Sequence, residues 1–361
     1  MSKQKLYNRV NRKELKERLM RDERPRITLS FYRYTRIEAP QQFRDQLFIR
    51  YNELDVLGRI YVAHEGINAQ LSVPEARFDA FKQVVADMPE TAGVRLNIAV
   101  EKDGKSFFAL IIKVRPKIVA DGIEDPDFDP TNRGQHLDAE SWNRLCDNPN
   151  TIVVDMRNHY ESEVGKFRNA IAPDVATFRE ELSYVAELLA EHKDKNILMY
   201  CTGGIRCEKA SAYMRYRGFK NVFQLEGGII EYARQIKARN LPNYFQGKNF
   251  VFDERLGERV GEEIIAQCHQ CGAPCDDHTN CANDFCHILF IQCAACRAKY
   301  EGCCSTNCRD FMRLPETVRR AEGPLRRFNG SIFSKGEYRA FRKPKLWGRQ
   351  AVESDTEMAD P

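Results

Sequence analysis

No stretch of the chain approaches the ~20 consecutive apolar residues that a membrane-spanning helix needs. The charged start, MSKQKLYNRVNRKELKERLM, lacks the apolar core of a secretion signal. Charge of one sign is scarce too: 56 Lys and Arg against 52 Asp and Glu leave only +4, too little to name a partner. There are no long internal repeats to mark a stacked array. No cysteine precedes Cys146.

Cysteine is abundant later. Of thirteen, twelve lie at or beyond Cys201, and ten fall between Cys268 and Cys308. In a chain without a secretion signal, such clustering points to metal ligation in a reducing cytoplasm rather than to disulfides. The expectation is a cytoplasmic protein with no membrane partner.

The chain's 361 residues suffice for two or three domains. Basic residues gather at the ends: residues 1–26 and the stretch Arg309–Arg349, where Phe328, Phe333, Tyr338, Phe341 and Trp347 are interleaved. A polyanion such as nucleic acid fits this pattern, and so do solvated tails. Both readings stay open on charge alone.

Residues 1–27 read as a basic leader with one short helix. Over residues 28–118 the pattern is strand, helix, two strands around Glu65-Gly66, a helix opened by Pro74, and a closing strand in SFFALIIKVRPKIV. That βαββαβ order predicts a ferredoxin-like α+β domain. Residues 119–134, rich in Asp, Pro and Gly, read as a linker. Buried apolar strands then alternate with amphipathic helices over 135–241, predicting a parallel α/β domain. In that stretch HLDAESWNRLCD reads as a helix. A cysteine-rich segment, 242–309, and a basic, partly disordered tail, 310–361, complete a multidomain chain.

The most informative stretch is YCTGGIRCEKASAYMRYRGF. A strand ends at Cys201, a helix begins near Arg206, and Thr202, Gly203, Gly204 and Ile205 form the turn. Glycines there let backbone N–H groups face an anion, the helix start adds partial positive charge, and Arg206 adds a full one. All three favour the thiolate, the reactive form. Cys207 lies close enough to resolve an oxidised Cys201, and a packing role is the favoured alternative.

Cys-x4-Arg between strand and helix resembles the active-site loop of rhodaneses, whose cysteine carries a persulfide. The segment VVDMRNHYESEVGKF is similar to the rhodanese stretch that supports this loop, here Asp155, Arg157, Glu161 and Gly165. LEGGI, with Glu226, Gly227 and Gly228, resembles the loop after the last strand. AHEGINAQLS, CTGGIRCEKAS, GKNFVFDER and CHQCGAPC occur in one order from about Arg24 to Cys308. That combination resembles the rhodanese-like tRNA uridine hydroxylases, which make 5-hydroxyuridine at the wobble position with molecular oxygen.

The resemblance implies tRNA, through its anticodon loop, as partner and oxygen as co-substrate. Catalysis falls to Cys201 and Arg206, with Asp155, Arg157, Glu161, Cys207 and Glu226 in support. No flavin, haem or NAD motif is visible, and the electron donor is not named by the sequence. A sulfurtransferase working through a Cys201 persulfide is the competing enzyme, and an RNA-binding adaptor the non-catalytic reading. The His159-x-Glu161 spacing suits iron, but Glu161 already has a place in the loop pattern.

Cys268-x2-Cys271 and Cys293-x2-Cys296 predict a four-cysteine zinc site. A second site has Cys275, Cys281, Cys286, Cys303, Cys304 and Cys308 to draw on, with His269, His278 or His287 as substitutes. An iron–sulfur cluster uses the same ligands.

Overall fold

Alternation in the first strand explains how the N-terminal half is built. In β1 (Arg26–Tyr34), Leu29 and Phe31 are buried in an apolar cluster, while Ser30 and Tyr32 face the other way. The computed structural model describes residues 10–101, 105–175 and 177–330. The first nine residues, and Phe333, Tyr338, Phe341 and Trp347 of the expected tail, lie outside them.

Helix α1 (Arg12–Arg21) precedes β1 and is tied down, because Lys105 Nζ donates to the carbonyls of Leu19 and Asp22. After β1 come α2 (Pro40–Glu53), β2 (Leu57–Ala63), β3 (Gly66–Pro74), α3 (Phe78–Asp87), β4 (Asn97–Ile98) and β5 (Leu110–Val114). The sheet order is β4-β1-β3-β2-β5. The first four strands give the expected ferredoxin-like arrangement, with Phe43, Leu47 and Phe81 of the two helices packed on its inner face.

Two local expectations fail. The closing strand beside β1 is the two-residue β4, too short to carry readable periodicity. SFFALIIKVRPKIV supplies β5, which pairs parallel to β2 on the opposite edge and buries Leu110 and Ile112. Pro74 does not open a helix; it ends β3 opposite Arg26, and α3 starts at Phe78 after a short 3-10 turn.

The central domain contains β6 (Gln135–Leu137), α4 (Ala139–Cys146), β7 (Thr151–Asp155), α5 (His159–Ser162), β8 (Gly165–Phe167), α6 (Phe178–Leu188), β9 (Asn196–Tyr200), α7 (Ile205–Tyr216), β10 (Asn221–Leu225) and α8 (Gly228–Arg239). Strands β6, β10, β9 and β7 form one parallel sheet in that order, with apolar cores on both faces. His136 and Leu137, expected in a helix, belong to β6 instead. The helix starts after Asp138, whose carboxylate accepts from Ser141 N at 3.0 Å.

The expected linker is not loose. Asp121 is buried, Arg133 reaches Glu208 at 2.6 Å, and Gly134 N donates to Ser211. Beyond α8, β11 (Phe245–Asn249) pairs antiparallel with β8, joining the next segment to the central domain. Then follow β12 (Glu258–Arg259), the hairpin β13 (His278–Asn280) and β14 (Leu289–Ile291), and helices α9 (Ala294–Tyr300), α10 (Thr306–Met312) and α11 (Glu316–Glu322). Ordered packing continues past residue 310, where the tail was expected to begin. Phe328 packs against Phe311 with tilted rings whose centroids are 5.0 Å apart, and Gly330 N donates to Cys286 Sγ at 3.3 Å. Among the described residues, no helix is long and apolar enough to cross a membrane.

Candidate active site

Cys201 sits where β9 ends, at the carboxyl edge of the parallel sheet, and is 1 % exposed. Gly204 N donates to its Sγ at 3.1 Å. Gly204 caps α7 with φ of +96°, and a Cβ there would lie 2.9 Å from the Tyr32 hydroxyl. Gly228, φ +65°, lets the LEGG turn close over the loop: a Cβ would come within 2.5 Å of the Cys201 carbonyl, which accepts from Ile229 N at 3.0 Å.

Burial alone pushes the Cys201 thiol up. The hydrogen bond from Cys207, the Arg206 charge, and the backbone N–H groups of Cys207 and Arg206 act the other way and win, holding it at about 6 instead of 9.0. Cys207 is fully buried in the core beneath, and burial together with the neighbouring Cys201 sulfur pushes its thiol well above the usual range. It therefore packs and donates a hydrogen bond as a neutral thiol.

Glu161 is completely buried and takes the Arg206 guanidinium on both oxygens, at 2.7 and 2.8 Å. Its second bond to the loop comes from Thr202 Oγ1 at 3.3 Å, and Asn158 N donates to it at 3.0 Å. Arg157 is fully buried, chelates Asp155 at 2.8 and 2.7 Å, and donates to the Gly165 carbonyl, tying the end of β7 to β8. Asp155 also accepts from Tyr200 Oη at 2.7 Å. Glu226 pairs across the domain boundary with Arg95. His159 faces Glu163 and Asp174. Glu181 of α6 is fully buried, and neither of its oxygens has a hydrogen-bond partner among the described residues. Burial pushes its carboxyl well above the usual range.

The thiol opens into a cavity of about 580 Å³. Cys201, Thr202, Gly203, Ile205 and Arg206 form its floor. The outward face of the N-terminal sheet forms the opposite wall, through Ser30, Tyr32, Arg59, Tyr61, Asn68, Gln70 and Asn97. A third wall comes from Val251, Phe252, Asp253 and Arg255 of the GKNFVFDER segment. No motif in the sequence singles out the residues of this sheet wall, although the alternation T-L-S-F-Y-R-Y carries it.

Polar contacts lock sheet and loop together. Tyr32 Oη donates to Glu208 at 2.9 Å, Tyr34 Oη to the Ile205 carbonyl at 3.3 Å, and Asn97 Nδ2 to the Gly203 carbonyl at 3.4 Å. Lys209 of α7 bridges Glu65 at 2.7 Å and Asp121 at 3.1 Å.

Ten cysteines sort themselves farther along. Cys268, Cys271, Cys293 and Cys296 bring their sulfurs together, and so do Cys281, Cys286, Cys304 and Cys308; within each set all sulfurs lie within 4.8 Å of one another. Each set is arranged to hold a metal ion. Cys275, Cys303 and the three candidate histidines stand outside both. His269 instead bonds Glu163 at 2.8 Å, and His278 lies against the Phe250 ring.

Family comparison adds a consistent frame. Residues 26–118 match the UPF0176 acylphosphatase-like domain, 138–235 the rhodanese-like domain and 246–309 the rhodanase C-terminal domain. A tRNA uridine(34) hydroxylase of Pectobacterium carotovorum is 59 % identical over 92 % of this chain and 94 % of its own. Its counterpart in Photorhabdus laumondii is 56 % identical over 92 % and 95 %. Among solved structures, a rhodanese-like domain from Anabaena covers 31 % of this chain and 78 % of its own, with 18 % identity and a TM-score of 0.25. With the three domains matched in order and the sequence shared almost end to end, this chain belongs to the tRNA uridine(34) hydroxylase family.

Proposed function

We propose that the chain hydroxylates C5 of the wobble uridine in the tRNA anticodon loop, with molecular oxygen as co-substrate and Cys201 as the working group. The observation that carries this reading is the cavity. An acidified thiol lies at its floor, and a polar, aromatic sheet face lies opposite. An unpaired anticodon base can be splayed out into such a space.

A low-pKa thiolate suits addition to C6 of uracil, which makes C5 electron-rich. Oxygen, reduced by two electrons from an external donor to the peroxide level, then delivers one oxygen atom to C5, and the other leaves as water. Loss of the C5 proton and departure of the Cys201 thiolate restore the aromatic ring as 5-hydroxyuracil. Arg206 and the N–H of Gly204 hold the sulfur as an anion at the start and end of this cycle.

Both cysteine sets suit zinc. Four sulfurs ~2.3 Å from a central zinc stand about 3.8 Å apart. The separations here are 3.6 Å for Cys271–Cys293 and 3.7 Å for both Cys286–Cys304 and Cys304–Cys308. Nucleoside analysis of tRNA from a deletion strain tests the function. Loss of 5-hydroxyuridine and its derivatives supports it; loss of a thiolated base instead assigns a sulfurtransferase.

A further inference from the structure

The wall opposite Cys201 is more than a lid. In register, Asn97, Ser30, Gln70 and Arg59 form one row across β4, β1, β3 and β2; Tyr32, Asn68 and Tyr61 form the next. Three strand spacings of ~4.8 Å carry the first row about 14 Å away from the thiol loop. The rows change character along that path. Near the loop their residues are occupied: Asn97 bonds Gly203, and Tyr32 bonds Glu208. Farther out, Gln70 makes no side-chain hydrogen bond, and exposed Arg59 no ion pair, among the described residues.

Tyr61 stands beside Arg59 with the exposed Arg115 guanidinium 5.7 Å from its ring centroid. The cavity's carboxylates do not offset these cations, because Asp253 and Glu258 are both held by Arg255. The outer wall therefore offers an aromatic face, an amide with unused donors and acceptor, and uncompensated positive charge. It is continuous with the space in front of Cys201. Single-stranded RNA has the matching chemistry: bases to stack, base edges to pair and phosphates to neutralise.

Building on the function proposed above, we infer that this sheet face is a single-stranded RNA platform. It holds the nucleotide next to the target uridine, with its base stacked on Tyr61, its edge within reach of Gln70 and its phosphate at Arg59. The platform thus sets how far the loop is unstacked before the uridine reaches the thiol.

An anticodon stem–loop RNA with 2-aminopurine on either side of the wobble uridine provides the test, using the full chain. With the wild-type protein, one of the two flanking positions should lose fluorescence on binding. Tyr61→Ala should abolish that change and raise Kd about 10-fold, while Tyr61→Phe keeps both. Arg59→Ala, at an exposed position, should flatten the salt dependence of log Kd by roughly one, and it stands as the test on its own where Tyr61→Ala fails to fold. Wild-type binding that is unchanged in both variants, with no fluorescence response, overturns the platform alone. No binding of the RNA by the wild-type protein overturns the platform and the proposed function together.

Discussion

Both oxygens of Glu161 are given to the Arg206 guanidinium, at 2.7 and 2.8 Å, inside the protein. The arginine of the Cys-x4-Arg loop is therefore a structural tie as well as a charge near the sulfur. Breaking a buried pair by removing one partner leaves the other charged and unsolvated, which costs about 3–5 kcal/mol. Arg206→Ala should lose stability of that order in chemical denaturation. A loss within ~0.5 kcal/mol, the scale of an ordinary surface change, contradicts the buried tie.

The Cys201 thiol titrates at about 6. Its alkylation by iodoacetamide should therefore rise with pH along a curve centred there and level off by about pH 8. In Arg206→Ala the lost cation and the orphaned Glu161 both disfavour the thiolate, so the midpoint should move up toward 9 or beyond. Mass spectrometry of the Cys201 peptide across a pH series reads both curves. Cys201→Ser should keep the fold and lose hydroxylation by on the order of 10³-fold.

Metal content should be close to two zinc ions per chain, one for each set of four cysteines. Cys268→Ser should remove one and loosen the β13–β14 region; Cys286→Ser should remove the other and loosen α10 and α11. Elemental analysis with hydrogen exchange resolves the two sites. Iron with acid-labile sulfide in place of zinc reassigns the sets to a cluster.

Truncation of the basic tail should begin after Gly330. Asn329 Nδ2 donates to Cys304 Sγ at 3.4 Å and Gly330 N to Cys286 Sγ at 3.3 Å, so an earlier cut strips the second cysteine set. Between Ser331 and Arg349 there are six Lys and Arg against one Glu. Removing residues 331–361 should weaken tRNA binding and lower its salt slope, with metal content unchanged. An unaltered slope makes the tail a solvated appendage.

An anticodon stem–loop with 5-fluorouridine at the wobble position should trap the enzyme. Fluorine does not leave as a proton does, so an adduct between Cys201 and C6 should accumulate. Intact-mass analysis detects it. Binding without an adduct, accompanied by persulfide on Cys201, assigns the thiol a carrier role.

Much of this was legible in the chain itself. The strand, glycine turn and helix around Cys201 carry their own chemistry, and paired CxxC motifs announce a metal site wherever they fall. Contacts between distant segments were not legible. Nothing local tells that Ser30 and Asn97 stand side by side, or that Glu226 finds Arg95. Strand β4 has two residues and no period, so the sheet was given the wrong closing strand. Spacing alone picks out Cys268, Cys271, Cys293 and Cys296, but choosing Cys281, Cys286, Cys304 and Cys308 from the other six needed the fold, because successive cysteine pairs alternate between the two sites. Cys275 and Cys303, equally plausible by spacing, fall outside both.

The three walls of the cavity come from segments well apart in the chain, and this has a consequence for biosynthesis. On the ribosome the N-terminal sheet emerges first and can close its own core before Cys201 is translated. The thiol loop then folds against a finished surface, and the last wall arrives only with residues 251–258. A nascent or truncated chain thus carries the cysteine without the complete chamber around it. The chamber in front of the sulfur is therefore complete only once residues 251–258 have packed against the two earlier walls.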